Sequence, residues 1–313
     1  MQWCFFYRDK LNWVKLMTLK YLYNSLFRKN KFRVEDGLMV KSIDESFNDL
    51  CNALDTNRRL FYSRYGDGEL LTMMGKDHRN YMYNKGLAEE LRASLLIENS
   101  QYLIALPLNY PLDRYWCKGI YGRFPWETDM KTFLGGDDLL RSIIVGEKTF
   151  ENPCVFQCIT ALRPEKMFDF LDKYVRPKKK MFIGGATKES AEKLYGPIDY
   201  YVQTPFKHAY EEIDSWWPLI EKHVHDVELI IPAVGSSSNV IAKRLWDMDV
   251  QVHLIDIGSI IDAVDGKVSR TWLRLRGHLV NKIVLPEFQE RSLKKRCQYL
   301  LKDIRFFFRN QFI

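Results

Sequence analysis

Two acidic residues separated by one glycine, Asp67 and Glu69, end the apolar stretch FYSRYGDGEL at residues 61–70. In extended backbone, residues two apart point to the same side, so both carboxylates can converge on one cation. Hard divalent ions such as Mg²⁺ or Mn²⁺ prefer carboxylate oxygens and often complete their coordination shell with substrate phosphates. Gly66 and Gly68 permit a sharp turn and a close approach of ligand. The spacing predicts a cation-and-diphosphate site, although an ordinary turn uses the same residue types.

Two later turns made of small residues are candidate phosphate sites. The first, in FIGGATKES, contains Gly184, Gly185 and Thr187. The second, in IIPAVGSSSNVIAKRL, contains Gly235, Ser236, Ser237, Ser238 and Asn239. The start of a helix offers backbone N–H groups and positive potential to a phosphate, but either turn taken alone is better explained as a plain helix cap. Neither matches a G-x-G-x-x-G fingerprint or a P-loop, which disfavours ATP hydrolysis of the usual type.

The chain that must position these turns alternates β-like and helical runs from about residue 40. The β-like runs are 59–64, 102–106, 154–158, 179–184, 227–231 and 250–256. The helical runs are 42–56, 87–99, 164–174, 187–195 and 238–247. Strands separated in this way pair in parallel through right-handed crossovers, so we predict an α/β fold with a Rossmann-like, mostly parallel sheet and helices on both faces. Ligands bind beyond the carboxyl ends of such strands, where the three turns should meet.

One stretch interrupts this alternation. Residues 107–153 are rich in Pro, Gly and aromatic residues, and they predict a long irregular insertion of the kind that often forms a lid. The sequence shows no clean linker, so one domain with appended ends is expected.

The positive charge of the chain lies at its two ends. The 313 residues carry a net charge of +7, yet residues 1–33 hold eight Lys or Arg and one acid, and residues 291–313 hold seven and one. Residues 34–290 retain 32 bases and 38 acids, which disfavours nucleic acid as a partner. Both ends are also amphipathic and aromatic, so they predict helices that lie on an anionic membrane or, alternatively, dock on the domain.

The predicted organisation is therefore a basic aromatic segment over residues 1–33, a domain over 34–275 and a basic amphipathic segment over 276–313. No apolar run reaches the roughly 18–20 residues of a membrane-spanning helix, and the first residues do not resemble a signal peptide. Six scattered cysteines without C-x-x-C pairs indicate reduced thiols. We expect a cytoplasmic protein, with peripheral association at the inner face of the membrane left open.

Other reactive side chains give weaker signals. His223, His225 and Asp226 precede the 227–231 run, which places them at the opposite end of the sheet as a solvated helix end. Lys207 and His208, in PFKHAY, are candidates for contact with a donor or an acceptor, or else surface residues. No cysteine lies beside an activating histidine, and the serine-rich turn is not a G-x-S-x-G elbow, so nucleophilic hydrolase chemistry is weakly supported.

The stretch Arg64-Tyr65-Gly66-Asp67-Gly68-Glu69, after an apolar strand, resembles the Asp-x-Glu signature of the GT-D-fold bacterial glycosyltransferases, formerly a domain of unknown function. The resemblance covers roughly residues 40–275. Its further segments, in order, are GKD at 75–77, IGG at 183–185, VQTPFKHAYEEID at 202–214, AVGSSSNVIAKRL, and HLIDIGSIIDAVDGKVSRTW at 253–272. It implies a Rossmann-like, metal-dependent enzyme that uses a UDP-sugar donor.

The resemblance also implies roles for individual residues. Asp67 and Glu69 would hold Mn²⁺ or Mg²⁺ and the donor diphosphate, which Arg64, Gly66 and Gly68 would help to bind. The Gly235–Ser238 turn with Asn239 stands where the family has a Gly-Pro-Thr helix start.

The closing segment of the family often reads Asp-Ile-Gly-His, whereas Ser259 follows Asp256-Ile257-Gly258 here. Asp262 is the nearest substitute for that histidine as a base, and it is grouped with Asp256 as a candidate catalytic acid. Arg270 is a candidate for contact with a phosphate or an acidic acceptor, or forms a surface ion pair.

Three functions remain open from the sequence. The leading one is a glycosyltransferase that moves a sugar from a nucleotide donor to a glycan or lipid-linked acceptor in polysaccharide or glycoconjugate synthesis. The others are a metal-dependent phosphoesterase, which usually needs more carboxylates and histidines around two ions, and a binding module for nucleotide sugars or carbohydrate without turnover.

Overall fold

The computed structural model describes residues 32–33, 38–77, 82–106, 139–267, 273 and 280–284. Its strands are β1 (Phe32–Arg33), β2 (Leu38–Val40), β3 (Leu60–Arg64), β4 (Tyr102–Ala105), β5 (Lys148–Phe150), β6 (Lys180–Gly184), β7 (Tyr200–Gln203), β8 (Leu229–Ala233) and β9 (His253–Ile255). Its principal helices are α1 (Ile43–Thr56), α2 (Asp67–Met73), α3 (Lys85–Leu95), α5 (Val155–Leu162), α6 (Pro164–Phe170), α7 (Lys188–Tyr195), α8 (Ile213–His223), α9 (Ser237–Asp247), α10 (Ile260–Val264) and α11 (Val280–Val284), with a short helix α4 over residues 139–143.

Six strands form the main sheet in the order β4-β3-β9-β8-β6-β7, and every pairing between them is parallel. Leu60 at the start of β3 pairs with His253 at the start of β9, so the last strand lies in the middle of the sheet. This arrangement confirms the predicted α/β fold with a parallel sheet. It also brings the turns that follow β3, β6, β8 and β9 to one edge of the sheet.

Both faces of this sheet are buried, because alternate side chains along each strand enter two separate hydrophobic clusters. In β3, Leu60 and Tyr62 pack on the side of α1, α5, α6 and α7, whereas Phe61 packs on the side of α2, α3, α8 and α9. Parallel strands covered on both faces read as continuous apolar runs, which is why their segments were recognisable in the sequence.

A second, small sheet was not predicted. β1 and β2 pair antiparallel, β2 and β5 pair in parallel, and one bridge between Ala105 and Glu151 joins this sheet to the edge of the main one. The predicted irregular insertion is therefore wrong for its last part, which contains α4 and β5. Residues 107–138 lie outside the described part of the chain.

The β-like run at 154–158 is also wrong, since these residues belong to the start of α5. Cys154 and Cys158 are both buried, and their spacing of four places them on one helix face. The Cys154 N–H donates to Asn152 Oδ1 at 3.0 Å, so the asparagine closes the turn that leads into the helix. A short apolar run fits a buried helix as well as a strand, which is the ambiguity that misled the prediction.

The histidine-rich segment before β8 lies at the amino end of that strand, as predicted. The His223 ring stacks on Tyr200 with 4.3 Å between ring centroids, and its Nδ1 lies 3.3 Å from Asp226 Oδ2. Both basic terminal segments lie outside the described residues, apart from β1 and α11. Among the described residues, no helix is both long enough and apolar enough to span a bilayer.

His253 makes the stability of this sheet dependent on pH. It is only 6% exposed, its Nδ1 has no hydrogen-bond partner among the described residues, and burial, aided by nearby Lys178, lowers its pKa to about 4. The unfolded chain therefore binds more protons than the folded one between about pH 6.5 and 4, and stability falls on acidification through that window. We expect a loss of roughly 2 kcal/mol in unfolding free energy between pH 8 and pH 5, measured by urea denaturation.

The variant His253→Gln should remove most of this pH dependence, because glutamine does not titrate in the window. The variant His225→Gln, which replaces an exposed histidine, should keep it. Equal pH slopes in both variants would contradict the assignment to His253.

Candidate functional site

The acidic pair lies in the first turn of α2 rather than in extended backbone. β3 ends at Arg64, and Gly66 is the last non-helical residue before Asp67. The Gly66 N–H donates to Glu69 Oε2 at 2.6 Å, and the Gly68 N–H donates to Asp67 Oδ1 at 3.1 Å. Acids favour this turn because the helix dipole is positive there. The expectation that the two carboxylates share one side of a strand is thus wrong, since successive helical residues turn by about 100°.

The carboxylate of Glu69 joins this turn to the start of α9. Its Oε1 accepts a hydrogen bond from the Ser236 hydroxyl at 2.7 Å, so its two oxygens contact two different loops. Gly235, before that serine, has a left-handed φ of 59°. Ser236, Ser237 and Ser238 are all buried, whereas Asp67 is exposed. Glu69 therefore holds the α2 and α9 starts together, and Asp67 faces solvent beside them.

Asn239 makes a second link between α9 and β3. Its Nδ2 donates to Ser63 Oγ at 3.0 Å and to the Arg64 carbonyl at 3.1 Å. The residue is 1% exposed, and its Oδ1 has no hydrogen-bond partner among the described residues. This side chain fixes the α9 start against the end of β3, so its observed contacts are structural.

Arg64 is anchored from the end of β9. Its Nε lies 3.5 Å from Asp256 Oδ2, and its Nη1 donates to the Pro153 carbonyl at 3.5 Å. A Cβ on Gly258, whose φ is 76°, would lie 2.5 Å from Arg64 Nη2, so a larger residue there would displace the guanidinium. Burial raises the pKa of Asp256, although the Arg64 charge acts in the opposite direction. Asp256 is therefore a buried partner of Arg64 rather than an accessible acid.

The turn after β6 lies beside the turn after β8, because Gly184 pairs with Ala233. Its helix start already binds an anion from within the protein: the Thr187 N–H and hydroxyl both donate to Asp265 Oδ1 at 3.1 Å. Lys267 Nζ lies 2.6 Å from Asp265 Oδ2. Burial alone would raise the pKa of Asp265, but the hydrogen bonds from Lys267, the Thr187 backbone and a neighbouring serine lower it to about 2. This carboxylate occupies the Thr187 donors that a phosphate would use.

The amino-acid sequence matches a known protein family. A sequence profile described as Glycosyltransferase GT-D fold matches residues 62–268. The chain belongs to the GT-D glycosyltransferase-fold family. The match includes every turn described above, and it confirms the family resemblance. No curated protein sequence matches this GT-D protein.

Solved structures show the same fold. A selenomethionine-substituted structure of domain of unknown function 1792 aligns with a TM-score of 0.57 and 21% identity, covering 80% of this chain and 83% of the other. A glycosyltransferase of that domain family from Streptococcus sanguinis aligns with a TM-score of 0.56 and 18% identity, covering 72% and 82%. A structure described as a distinct glycosyltransferase fold of the same domain aligns with a TM-score of 0.56 and 21% identity, covering 77% and 83%.

The side chains of Asp67 and Glu69 fit a hard divalent cation in the chemistry of their oxygens. Asp67 and Glu69 provide carboxylate oxygens, the ligand type that such an ion prefers, and a carboxylate oxygen can accept more than one contact. Within the residues that the structure describes, no three His, Cys, Asp or Glu side chains form a group suited to a metal ion. The remaining ligands would have to be phosphate oxygens and water, which is usual for Mg²⁺.

The other predicted residues of the GT-D protein make different contacts. Asp262 is half-buried in the first turn of α10, where its N–H donates to the Ser259 carbonyl at 3.2 Å. Lys207 is exposed, and the half-buried His208 has a left-handed φ of 57° with its Nδ1 3.2 Å from Glu211 Oε1. Arg270 lies outside the described residues.

Sequence reasoning missed the pair Asp265 and Lys267, which flank Gly266. Both lie inside the closing segment that carried the family resemblance, but their types and spacing suggest only a surface turn. Their contacts with the β6 turn depend on how α10 packs against α7. An acid and a base on either side of a glycine give no sequence signal that they contact a distant turn.

Proposed function

We propose that this GT-D protein is a glycosyltransferase that moves a sugar from a nucleotide donor, most simply a UDP-sugar, to a glycan or lipid-linked acceptor in polysaccharide or glycoconjugate synthesis. The observation that carries the proposal is the Glu69–Ser236 hydrogen bond. This bond links the first turn of α2, which also carries the exposed carboxylate of Asp67, to the small-residue start of α9 at the carboxyl edge of a parallel sheet. That edge is where ligands bind in folds of this class.

The donor diphosphate is assigned to the start of α9. Gly235 and the buried serines bring backbone N–H groups close to a ligand, and the helix dipole adds positive potential. Arg64, held in place by Asp256, adds a cation from the neighbouring strand end. The turn at Gly184, Gly185 and Thr187 has a supporting role instead, because Asp265 binds the Thr187 donors.

Asp67 and Glu69 are assigned to Mn²⁺ or Mg²⁺. Such an ion, when bound, offsets the negative charge that builds up on a departing diphosphate. The chain's own task in this respect is to hold both carboxylates in place. The hydrogen bonds from Gly66, Gly68 and Ser236 do this.

Transfer requires an acceptor hydroxyl to attack the anomeric carbon while the bond from that carbon to the diphosphate oxygen breaks. The hydroxyl proton must pass to a base. We assign this base to Asp262, which lies in the first turn of α10, three residues after Ser259, the position where relatives often carry histidine. Asp256 is excluded from direct proton transfer by its burial, and Lys207 and His208 are assigned to acceptor or donor contacts.

The test is calorimetric titration of nucleotide sugars with and without Mn²⁺, followed by assay of donor hydrolysis and of nucleoside diphosphate release. We expect Mn²⁺-dependent binding and slow release of UDP without acceptor. Binding without any turnover, even with glycan or lipid-linked acceptors, would instead support a non-catalytic binding module. Release of inorganic phosphate from simple phosphate esters would support a phosphoesterase.

A membrane-facing acceptor is part of the proposal because both basic segments adjoin the domain. Residues 1–33 and 276–313 are proposed to contact anionic lipid on the cytoplasmic face, where a lipid-linked diphosphate would lie. Co-sedimentation of the full chain with vesicles containing anionic lipid, run beside the donor assay, checks this. Equal recovery with neutral vesicles would contradict it.

A further inference from the structure

An exposed phenylalanine, Phe206, lies at the ligand-binding edge of the sheet. It follows β7 after two intervening residues, and its side chain is 53% exposed. Isolated exposed apolar residues are common on protein surfaces and need no explanation alone. Phe206 differs because charged and backbone groups fix its position.

Lys267 supports the Phe206 ring. The ammonium nitrogen lies 4.5 Å from the ring centroid and is fixed from two sides, by Asp265 Oδ2 at 2.6 Å and by the Gly185 carbonyl at 3.3 Å. The side chain of Asp265 is itself only 6% exposed. The ring therefore has a cation on one face while more than half of its side chain remains accessible.

The backbone beneath the ring is equally constrained. A Cβ on Gly185 would lie 3.0 Å from the Cα of Phe206 and 3.3 Å from the Thr204 carbonyl oxygen. The β6 and β7 turns thus touch through their backbones. Phe206 is held in place by both its main chain and its side chain.

Its distance from the proposed diphosphate site follows from the strand register. Ala233, Gly184 and Gln203 form one row across β8, β6 and β7. Neighbouring strands lie about 4.8 Å apart, so the ends of β7 and β8, and with them the turns that carry Phe206 and Gly235, are separated by roughly 10 Å or less. That separation is one that a ribose and two phosphates can bridge.

We propose that Phe206 is the aromatic platform on which the nucleobase of the donor stacks, with the diphosphate at the start of α9. This inference rests on the proposed function, since it names the base-binding part of the same donor site. A flat π-face accepts any base, so Phe206 contributes affinity for a nucleoside and does not select among bases.

The experiment compares the full chain with Phe206→Ala and Phe206→Tyr by calorimetry in the presence of Mn²⁺. The ligands are UDP, GDP, ADP and inorganic diphosphate. We expect Phe206→Ala to weaken nucleoside diphosphate binding about 5- to 150-fold, the range that base–aromatic stacking implies. Binding of inorganic diphosphate should be unchanged, and Phe206→Tyr should bind like the unmodified chain. Met248→Ala, which removes an apolar side chain that is 41% exposed beyond the end of α9, is the matched control.

The outcomes separate this inference from the function on which it rests. Unchanged nucleotide binding in Phe206→Ala, beside normal binding by the unmodified chain, would overturn the stacking role alone. Unchanged nucleotide binding with a higher KM for acceptor would place the ring in the acceptor site and also overturn it. Failure of the unmodified chain to bind any of the three nucleotides would refute the proposed function, and this inference with it.

Discussion

Replacement of Asp67 by Asn is expected to lower Mn²⁺-dependent donor turnover by at least ~100-fold, since even the partners of metal ligands are worth 10- to 100-fold. The substitution keeps the shape of the side chain and removes its charge. Asp67 is exposed, so the loss of a favourable helix-dipole interaction should cost only about 0.3–1 kcal/mol of unfolding free energy. The measurement is steady-state UDP release over a range of Mn²⁺ concentrations, with urea unfolding of the same preparation.

Glu69→Gln is predicted to behave differently. The carboxylate of Glu69 accepts hydrogen bonds from Gly66 and Ser236, so its replacement should reduce both turnover and stability. Glu89→Gln, an exposed acid on α3 with a loose ion pair to Lys85, is the control and should change neither quantity. Full activity in Asp67→Asn would contradict the assignment of the acidic pair to the cation.

Replacement of Gly258 by Ala is expected to lower the unfolding free energy by more than the roughly 1–2 kcal/mol of left-handed strain alone. The residue has a φ of 76°, and the new Cβ would overlap the Arg64 guanidinium. A displaced guanidinium leaves the Asp256 carboxylate buried without its partner. Urea denaturation gives the stability change, and the KM for donor should rise because Arg64 no longer faces the diphosphate.

Gly146→Ala provides the matched control for this prediction. Gly146 has a φ of 83°, but a Cβ added there would meet no atom within 4 Å among the described residues, so only the conformational strain applies. Its cost should be about 1–2 kcal/mol, with donor kinetics unchanged. Equal stability losses in the two variants would show that the contact between Gly258 and Arg64 is not significant.

The sequence was sufficient to predict the parallel sheet because its central strands are buried on both faces. Segments such as Leu60–Arg64 and Lys180–Gly184 are short apolar runs followed by small-residue turns, and such runs leave few alternatives to a strand once helices separate them. The short edge strand Tyr200–Gln203 is only partly buried and gave no comparable signal. The small sheet was missed because its strands are only two or three residues long.

For the candidate site, the sequence could propose residues but not the contacts between them. The Asp-x-Glu signature located Asp67 and Glu69, yet the extended geometry assigned to them was wrong because the helix already begins at Asp67. Glu69–Ser236 and Asn239–Ser63 join residues more than 160 positions apart. Such pairs depend on strand order, and local patterns in one sequence do not encode strand order.

The central place of β9 affects how the chain can be made. Leu60 of β3 acquires its neighbour His253 only after almost the whole domain has been synthesised. Until then, β3 and β8 each present an unpaired edge, because the strand that fills the gap between them is the last of the sheet to emerge from the ribosome. Contacts of such long sequence separation make folding slow, and open strand edges invite aggregation. This GT-D domain is therefore expected to depend on chaperone protection during translation until its final strand is available.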